Sequence, residues 1–364
     1  MSAPPLKIRN LRSRGVRLPM RRPLATSSGT IAAVPLVLVD LETEEGIAGC
    51  SYLFCFQDGI VPLVRSALAD LLTLVKGAEV APVTLFRNAV ARYRLIDPNS
   101  VIGLAISGLD TACWDALAKA ANLPLARYLG ATTKPVRAYN SCGLGMISPA
   151  AAADEVLALL GEGFCAAKVR LGRAERKDDL AVVRSVRKAM PTDTILMSDY
   201  NQALTVAEAI ARGHTLDSEG LYWIEEPIRH DDYSGNARVA AALETPVQIG
   251  ENFVFPHAMA AALNAHACDY VMPDLQRIGG VTGWLRAAAL ADAAGVEMSS
   301  HLFPEVSAHL LAATPTAHWL EYVDWANPVL AEPLVVKDSM AIIPDRPGHG
   351  MAWDERSVGK YAID

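Results

Sequence analysis

The sequence predicts an α/β protein: a parallel (β/α)8-type barrel preceded by an N-terminal α+β domain. Three observations predict it. From about Pro135 a unit of about 20–30 residues repeats, each a short apolar run followed by a segment of helical spacing. The chain before Pro135 reads instead as strands followed by helices. Nearly every apolar run of the repeat ends in a charged residue, where a barrel of this kind keeps its reactive groups.

Taken in order, residues 1–55 read as strands, with Val34–Val39 rich in β-formers and Glu45-Gly46 and Gly49 marking turns around it. Ile60–Lys76, Val83–Leu95 and Ile102–Asn122 carry apolar residues at helical spacing, with Gly77, Pro82 and Pro98 between them. The repeat then supplies Val136–Tyr139, Cys165–Val169, Ile195–Met197, Leu221–Ile224, Val247–Ile249, Tyr270–Met272, Val296–Met298 and His318–Leu320 as strands. Ser148-Pro149 reads as an N-cap with Pro at the first helical position, Thr205 to Glu208 as a capping box, and Pro191 as the end of a helix begun near Asp178. A doubly wound sheet would want a GxGxxG turn after its first strand, and none is there. Gly279-Gly280-Val281-Thr282-Gly283 reads as a tight loop. A tail from about residue 340 has no repeat left to join and is expected to pack on the N-terminal domain.

Composition narrows the function. With 364 residues, 51% of them hydrophobic, the chain can bury more than one core. A net charge of −7 offers no basic balance for nucleic acid. The basic stretch from Arg9 to Arg22 is interleaved with Ile8, Leu11, Val16 and Leu18, as in a strand, and no apolar segment follows it to make a signal peptide. Runs such as Val34–Val39 are far shorter than a membrane helix. Six cysteines without a CxxC pair read as reduced, mostly buried thiols, so a cytoplasmic protein is expected.

The strand ends carry the chemistry. Asp199, Glu225 and Glu251 are spaced 26 residues apart, on three consecutive strands. Three converging carboxylates repel unless a cation lies among them, and all-oxygen ligation points to Mg²⁺, with Mn²⁺ as a substitute. Asp274 and His301 fall on adjacent strands, where a carboxylate on one ring nitrogen makes the other a better base. Lys168 and Arg170, two apart, project to one side of their strand. Lys168 suits a substrate carboxylate or proton transfer, whereas Arg170 suits anion binding or holding a neighbour. Glu321, protonated, would hydrogen-bond an enolate oxygen opposite the metal.

Together these residues resemble the mandelate racemase branch of the enolase superfamily. The resemblance runs from Ala105–Asp115, with Pro124-Leu125 and Leu129-Gly130, through Ser198–Gln202, Trp223–Pro227, Gly250–Asn252, Met272–Asp274 and Ile278–Trp284 to Ser299–Phe303. It implies a capping domain over 1–132, a catalytic barrel over 133–340 and a tail over 341–364 that completes the cap. It also implies Asp199, Glu225 and Glu251 as magnesium ligands, His301 with Asp274 as one base, and Lys168 as the first Lys of a Lys-x-Lys pair. Glu321 is then the acid facing the enolate, and Ser51–Phe56 a mobile flap over the substrate, a segment whose composition reads equally as a buried strand. Ser141, Asn201, Phe54, Phe56 and Leu302 are the expected substrate contacts. A homo-oligomer, often an octamer in this family, is expected, with a small carboxylate as substrate and neither nucleic acid nor membrane as partner. One position departs: Arg170 stands where the family's second Lys serves as base.

The expected reaction is removal of the α-proton of a hydroxycarboxylate, ending in racemisation or epimerisation. The alternatives are a one-base dehydration of a sugar acid by His301 and, from another class, a barrel that only binds a ligand.

Overall fold

The computed structural model describes residues 5–27, 29–96 and 98–363. Met1–Pro4 and Asp364, which begin and end the expected domains, lie outside the described residues, as do Ser28 and Asp97.

Three antiparallel strands open the chain: β1 (Ile8–Thr26), β2 (Gly29–Thr43) and β3 (Ala48–Phe54). Alternate apolar residues of these strands are buried against α1 (Val61–Val75), α2 (Pro82–Tyr93) and α3 (Val101–Ala120). Gly49 is not a turn residue as its type suggested. It lies inside β3, where an added Cβ would sit 2.0 Å from the Ala112 carbonyl oxygen of α3. Glycine is there because strand and helix touch backbone to backbone. The helix α3 is apolar and long enough to cross a membrane, but 72% of its apolar window is buried inside the protein as a core helix.

After the short α4 (Leu125–Tyr128) the repeat folds as expected into a (β/α)8-type barrel. Its strands are β4 (Val136–Asn140), β5 (Ala166–Arg170), β6 (Ile195–Asp199), β7 (Ile224–Glu225), β8 (Val247–Ile249), β9 (Tyr270–Val271) and β10 (Leu320–Tyr322). All pair in parallel, and β10 returns to β4. The expected seventh strand, Val296–Met298, reduces to single bridges from Met298 to Val271 and to Ala317, enough to close the ring.

Helices cover the outside: α5 (Pro149–Leu160), α6 (Arg176–Ala189), α7 (Val206–Leu216), α8 (Tyr233–Ala242), α9 (Phe255–Asn264), α10 (Leu275–Ile278), α11 (Gly280–Ala294) and α12 (Pro304–Ala312). The Ser148 cap and the Thr205–Glu208 capping box form as read from sequence. The Gly279–Gly283 run starts α11 rather than making a free loop, and Thr282 donates its N–H to Asp110 of α3 at 2.8 Å. A contact between helices accounts for Gly280, where an added Cβ would meet Asp110 at 2.6 Å.

The tail first makes β11 (Val335–Lys337) and β12 (Met340–Ile342), which pairs with β4 of the barrel. It then reaches the N-terminal domain as expected. After α13 (Glu355–Tyr361), β13 (Ala362–Ile363) pairs with β1, and buried Asp115 of α3 accepts N–H bonds from Cys50 at 2.9 Å and His349 at 3.0 Å.

Period-two alternation places the site. Tyr139, Ala166, Met197, Trp223 and Trp319 form a buried cluster in the barrel. Two residues on along the same strands stand Ser141, Lys168, Asp199, Glu225 and Glu321. They share the inward face one layer up, so the packed layer is the floor on which the polar layer rests.

Candidate active site

At the C-terminal mouth, Asp199, Glu225 and Glu251 bring carboxylate oxygens within 4.8 Å of one another. Each is braced. Asn201 donates to Asp199 from its backbone at 2.8 Å and its side chain at 3.0 Å. Trp223 and Gln248 donate to one oxygen of Glu225, at 3.1 and 3.3 Å. Asn252 donates to Glu251 at 3.4 Å. Burial pushes the Glu225 carboxyl up to about 8; Lys168 opposes this, while Asp199, Glu321 and Glu251 add to it. Crowded acids on braced side chains, all offering oxygen, fit a hard divalent cation.

Lys168 is 1% exposed and lies under these carboxylates. Its ammonium reaches Glu225 at 2.5 Å, Glu321 at 2.9 Å and Asp199 at 3.4 Å. Burial alone would favour the neutral amine, yet Glu225, Glu321, Tyr139 and Asp199 hold its pKa well above the ordinary value. Glu321, expected to work in its protonated form, lies 2.9 Å from Lys168 and 3.8 Å from His301. Burial raises the pKa of Glu321, but Lys168, His301 and Arg170 lower it further, below the usual carboxyl range. It accepts from Ser141 Oγ at 2.7 Å and from the Leu302 N–H at 3.0 Å.

Arg170 faces inward but is spent on the barrel. One terminal nitrogen donates to the carbonyls of Gly143 at 2.6 Å, Ser141 at 3.2 Å and Lys168 at 3.3 Å, and the other to Ser141 Oγ at 2.7 Å. Ser141, expected to touch substrate, instead lies buried between Arg170 and Glu321 and does not line the pocket.

On another wall, Asp274 accepts from His301 Nδ1 at 2.7 Å and from the N–H groups of Gln276 and Arg277 at 2.9 and 3.0 Å. This bond directs the other ring nitrogen to the pocket, 3.4 Å from Glu251 and 3.8 Å from Glu321. Burial lowers the imidazole's pKa, but Glu251, Glu321 and Asp274 outweigh it and hold the ring at about 10.

These groups surround a cavity of about 270 Å³. Phe54, Phe56, Leu302 and Asn201 line it as expected, and so do Leu24, Ile31, Val323 and Trp325, which give it an apolar wall. Gln202, Glu226, Asn252 and Arg277 add polar lining. The expected flap is in large part strand: Ser51–Phe54 belongs to β3, with Phe54 N–H bonded to Gln276 at 2.9 Å. Only Phe56 of that segment is exposed, its ring 4.1 Å from that of Phe54.

Residues 151–357 match the family described as enolase C-terminal domain-like, and residues 9–130 the mandelate racemase / muconate lactonizing enzyme N-terminal domain. The chain belongs to the enolase superfamily. An enolase from alpha proteobacterium bal199 with bound magnesium is 44% identical, with TM-score 0.96 over 98% of this chain and 100% of that one. A Bradyrhizobium enolase complexed with magnesium and mandelic acid is 40% identical, with TM-score 0.95 over all of both chains. The L-talarate/galactarate dehydratase of Salmonella typhimurium is 36% identical over 257 residues, 70% of this chain and 64% of that protein's length.

Within this enolase-superfamily site, sequence reasoning missed Leu24, Ile31, Val323 and Trp325, whose apolar side chains carry no local mark of a site. It also passed over Glu226, Asn252 and Arg277. Glu226 and Asn252 were visible as neighbours of metal-type carboxylates. Burial and nearby Glu251 push Glu226 well above the usual carboxyl range, and Asn252 donates to it at 2.8 Å.

Proposed function

We propose that this protein is a magnesium-dependent enzyme that removes the α-proton of a hydroxycarboxylate. Asp199, Glu225 and Glu251 hold the ion, and His301 is the base. The carrying observation is the convergence of the carboxylate trio, Lys168 and the His301–Asp274 pair on one cavity. Bound there, magnesium supplies Lewis-acid stabilisation to the charge that develops on the substrate carboxylate. Lys168 adds a fixed positive charge on the floor. Asp274 holds Nδ1–H, leaving Nε2 free to take the proton. We read the chain as a cap over 1–132, a barrel over 133–340 and a tail over 341–364.

Racemisation or epimerisation is supported by the wall of Leu24, Ile31, Leu302, Val323 and Trp325, which suits an apolar group beside the reacting carbon. The likeness to an enolase crystallised with mandelic acid supports it too. One observation favours dehydration instead: Arg170, at the second base's position, is tied to carbonyls and never readily gives up its proton. With one base, His301 takes the α-proton and returns it to the departing β-hydroxyl, leaving an enol that becomes a 2-keto acid.

Incubating α-hydroxy and sugar acids with enzyme and Mg²⁺ in D₂O tests the reading. Exchange into both configurations marks the racemase, and one-sided exchange with loss of water the dehydratase. No exchange in any acid sinks both. Arg170→Lys is expected to introduce or raise exchange on the second face, read by deuterium incorporation into the opposite enantiomer; unchanged stereochemistry counts against it. We also expect a closed symmetric homo-oligomer. Leu95 and Ile96, after α2, are 91% and 67% exposed, apolar surface of the kind association covers. A monomer by light scattering at micromolar concentration overturns this.

A further inference from the structure

A second chamber adjoins the catalytic cavity. It has a volume of about 510 Å³ and shares Phe56, Asn252 and Arg277 with the smaller cavity as common walls. Its other walls include apolar Ile60, Val101, Leu104 and Val254, and among the described residues no Asp or Glu lines it. Arg277 therefore stands at its mouth without a carboxylate partner there. One terminal nitrogen donates to Asn252 Oδ1, and the guanidinium lies 4.9 Å from the centre of the Phe56 ring. Among the described residues its other side-chain donors have no hydrogen-bond partner.

A half-buried guanidinium with open donors, facing a space with no acid among its described lining residues, favours an anion, and a planar fork suits a carboxylate. Of the neighbouring positive charges, Lys168 is held by Glu225 and Glu321, and both terminal nitrogens of Arg170 donate to protein groups. Arg277 is the guanidinium that lines both spaces, and its remaining donors are open among the described residues.

The geometry points to Arg277 as a specificity-determining residue that binds a second anionic group, a distal carboxylate, at the end of the substrate away from the reacting carbon. The spacer between the two ends lies along the Phe56 ring, out of the catalytic cavity and into the chamber. This inference rests on the proposed function for the placement of the reacting end, and it narrows the substrate to hydroxy acids with a second acid group.

Binding of 2-hydroxyadipate, 2-hydroxypimelate and 2-hydroxysuberate, each against its ω-amide of equal length, tests it on magnesium-loaded protein by calorimetry. The amide keeps shape and removes charge, so the ratio of the two Kd values cancels general damage to the site. One diacid of the series is expected to bind about 10–100-fold tighter than its amide, the range of a charge-assisted hydrogen bond. Arg277→Met should bring that ratio to near one. Arg277→Lys, which keeps the charge without the fork, should leave an intermediate ratio, and it serves if the Met variant does not fold. Equal binding of acid and amide to the wild type, or a ratio unchanged in Arg277→Met, overturns the proposal. The same solutions in D₂O separate the two readings. Binding preference without His301-dependent exchange faults the proposed reaction alone; exchange without preference faults this inference alone.

Discussion

His301→Asn is expected to abolish α-proton exchange, a loss on the order of 10⁴-fold, while magnesium binding persists. Asparagine can still donate to Asp274, so the bond that anchors this strand end at 2.7 Å has a substitute. What disappears is the nitrogen that faces the pocket. The direction of the pH dependence follows from the same surroundings. In the metal-free protein the ring is held at about 10, in large part by Glu251 and Glu321. An ion on Glu251 cancels one of those charges and brings the imidazole down, toward the range in which it is unprotonated near neutrality. Exchange should therefore rise with pH through the value His301 has in the loaded enzyme, and that value should lie below 10. Deuterium incorporation measured across pH, in wild type and His301→Asn, checks both statements. Exchange that survives in the variant at more than about a hundredth of the wild-type rate would remove His301 from the role of base. If the protein only bound a ligand, the wild type would show no exchange to lose.

Removing the metal is expected to have the other large effect. A chelator should reduce activity to background, and Glu251→Gln should weaken magnesium binding, because a neutral amide takes away one of three charges that meet within 4.8 Å. The sign of the pH dependence is again set by the site. Glu225 holds its proton up to about 8 in the metal-free protein. Magnesium must displace that proton, so its apparent affinity should climb as pH rises toward 8 and level off above it. Saturating magnesium, at about 100 times Kd, should stabilise the fold by about 2.7 kcal/mol. Thermal denaturation with and without the ion reads this, and Glu251→Gln should shrink the shift. Full activity in metal-free enzyme would end the magnesium reading.

How the site became visible in the chain can be traced to particular residues. Asp199, Glu225 and Glu251 stood out because a repeat with one strand per unit puts equal spacings on neighbouring strands, and charge at a strand end has few structural uses. Asp274 and His301 were legible for the same reason, and the parallel bridge between them bears out their adjacency. Gly49 and the Gly279–Gly283 run were misread because a glycine's type records only that a side chain is excluded. Whether a turn or a neighbouring backbone does the excluding is a fact of packing. Likewise Ser51–Phe56 has the composition of a strand and the position of a flap. The β2 ladder, with Phe54 N–H bonded to Gln276, decided for strand as far as Phe54.

By itself the sequence determined the barrel, the order of its strands and the residues that end them, since these follow from periodicity, and periodicity is local. Only the tertiary structure decided what those residues do to one another. Lys168 became a buried cation shared by three carboxylates, Glu321 a carboxyl held low by Lys168 and His301, and Arg170 a clamp on carbonyls and on Ser141. It also brought Leu24 and Ile31 of the first hairpin to a pocket whose acids come from β6 onward. Protonation and recognition depend on distances of a few ångströms between residues far apart in the chain, and no spacing along the sequence encodes those.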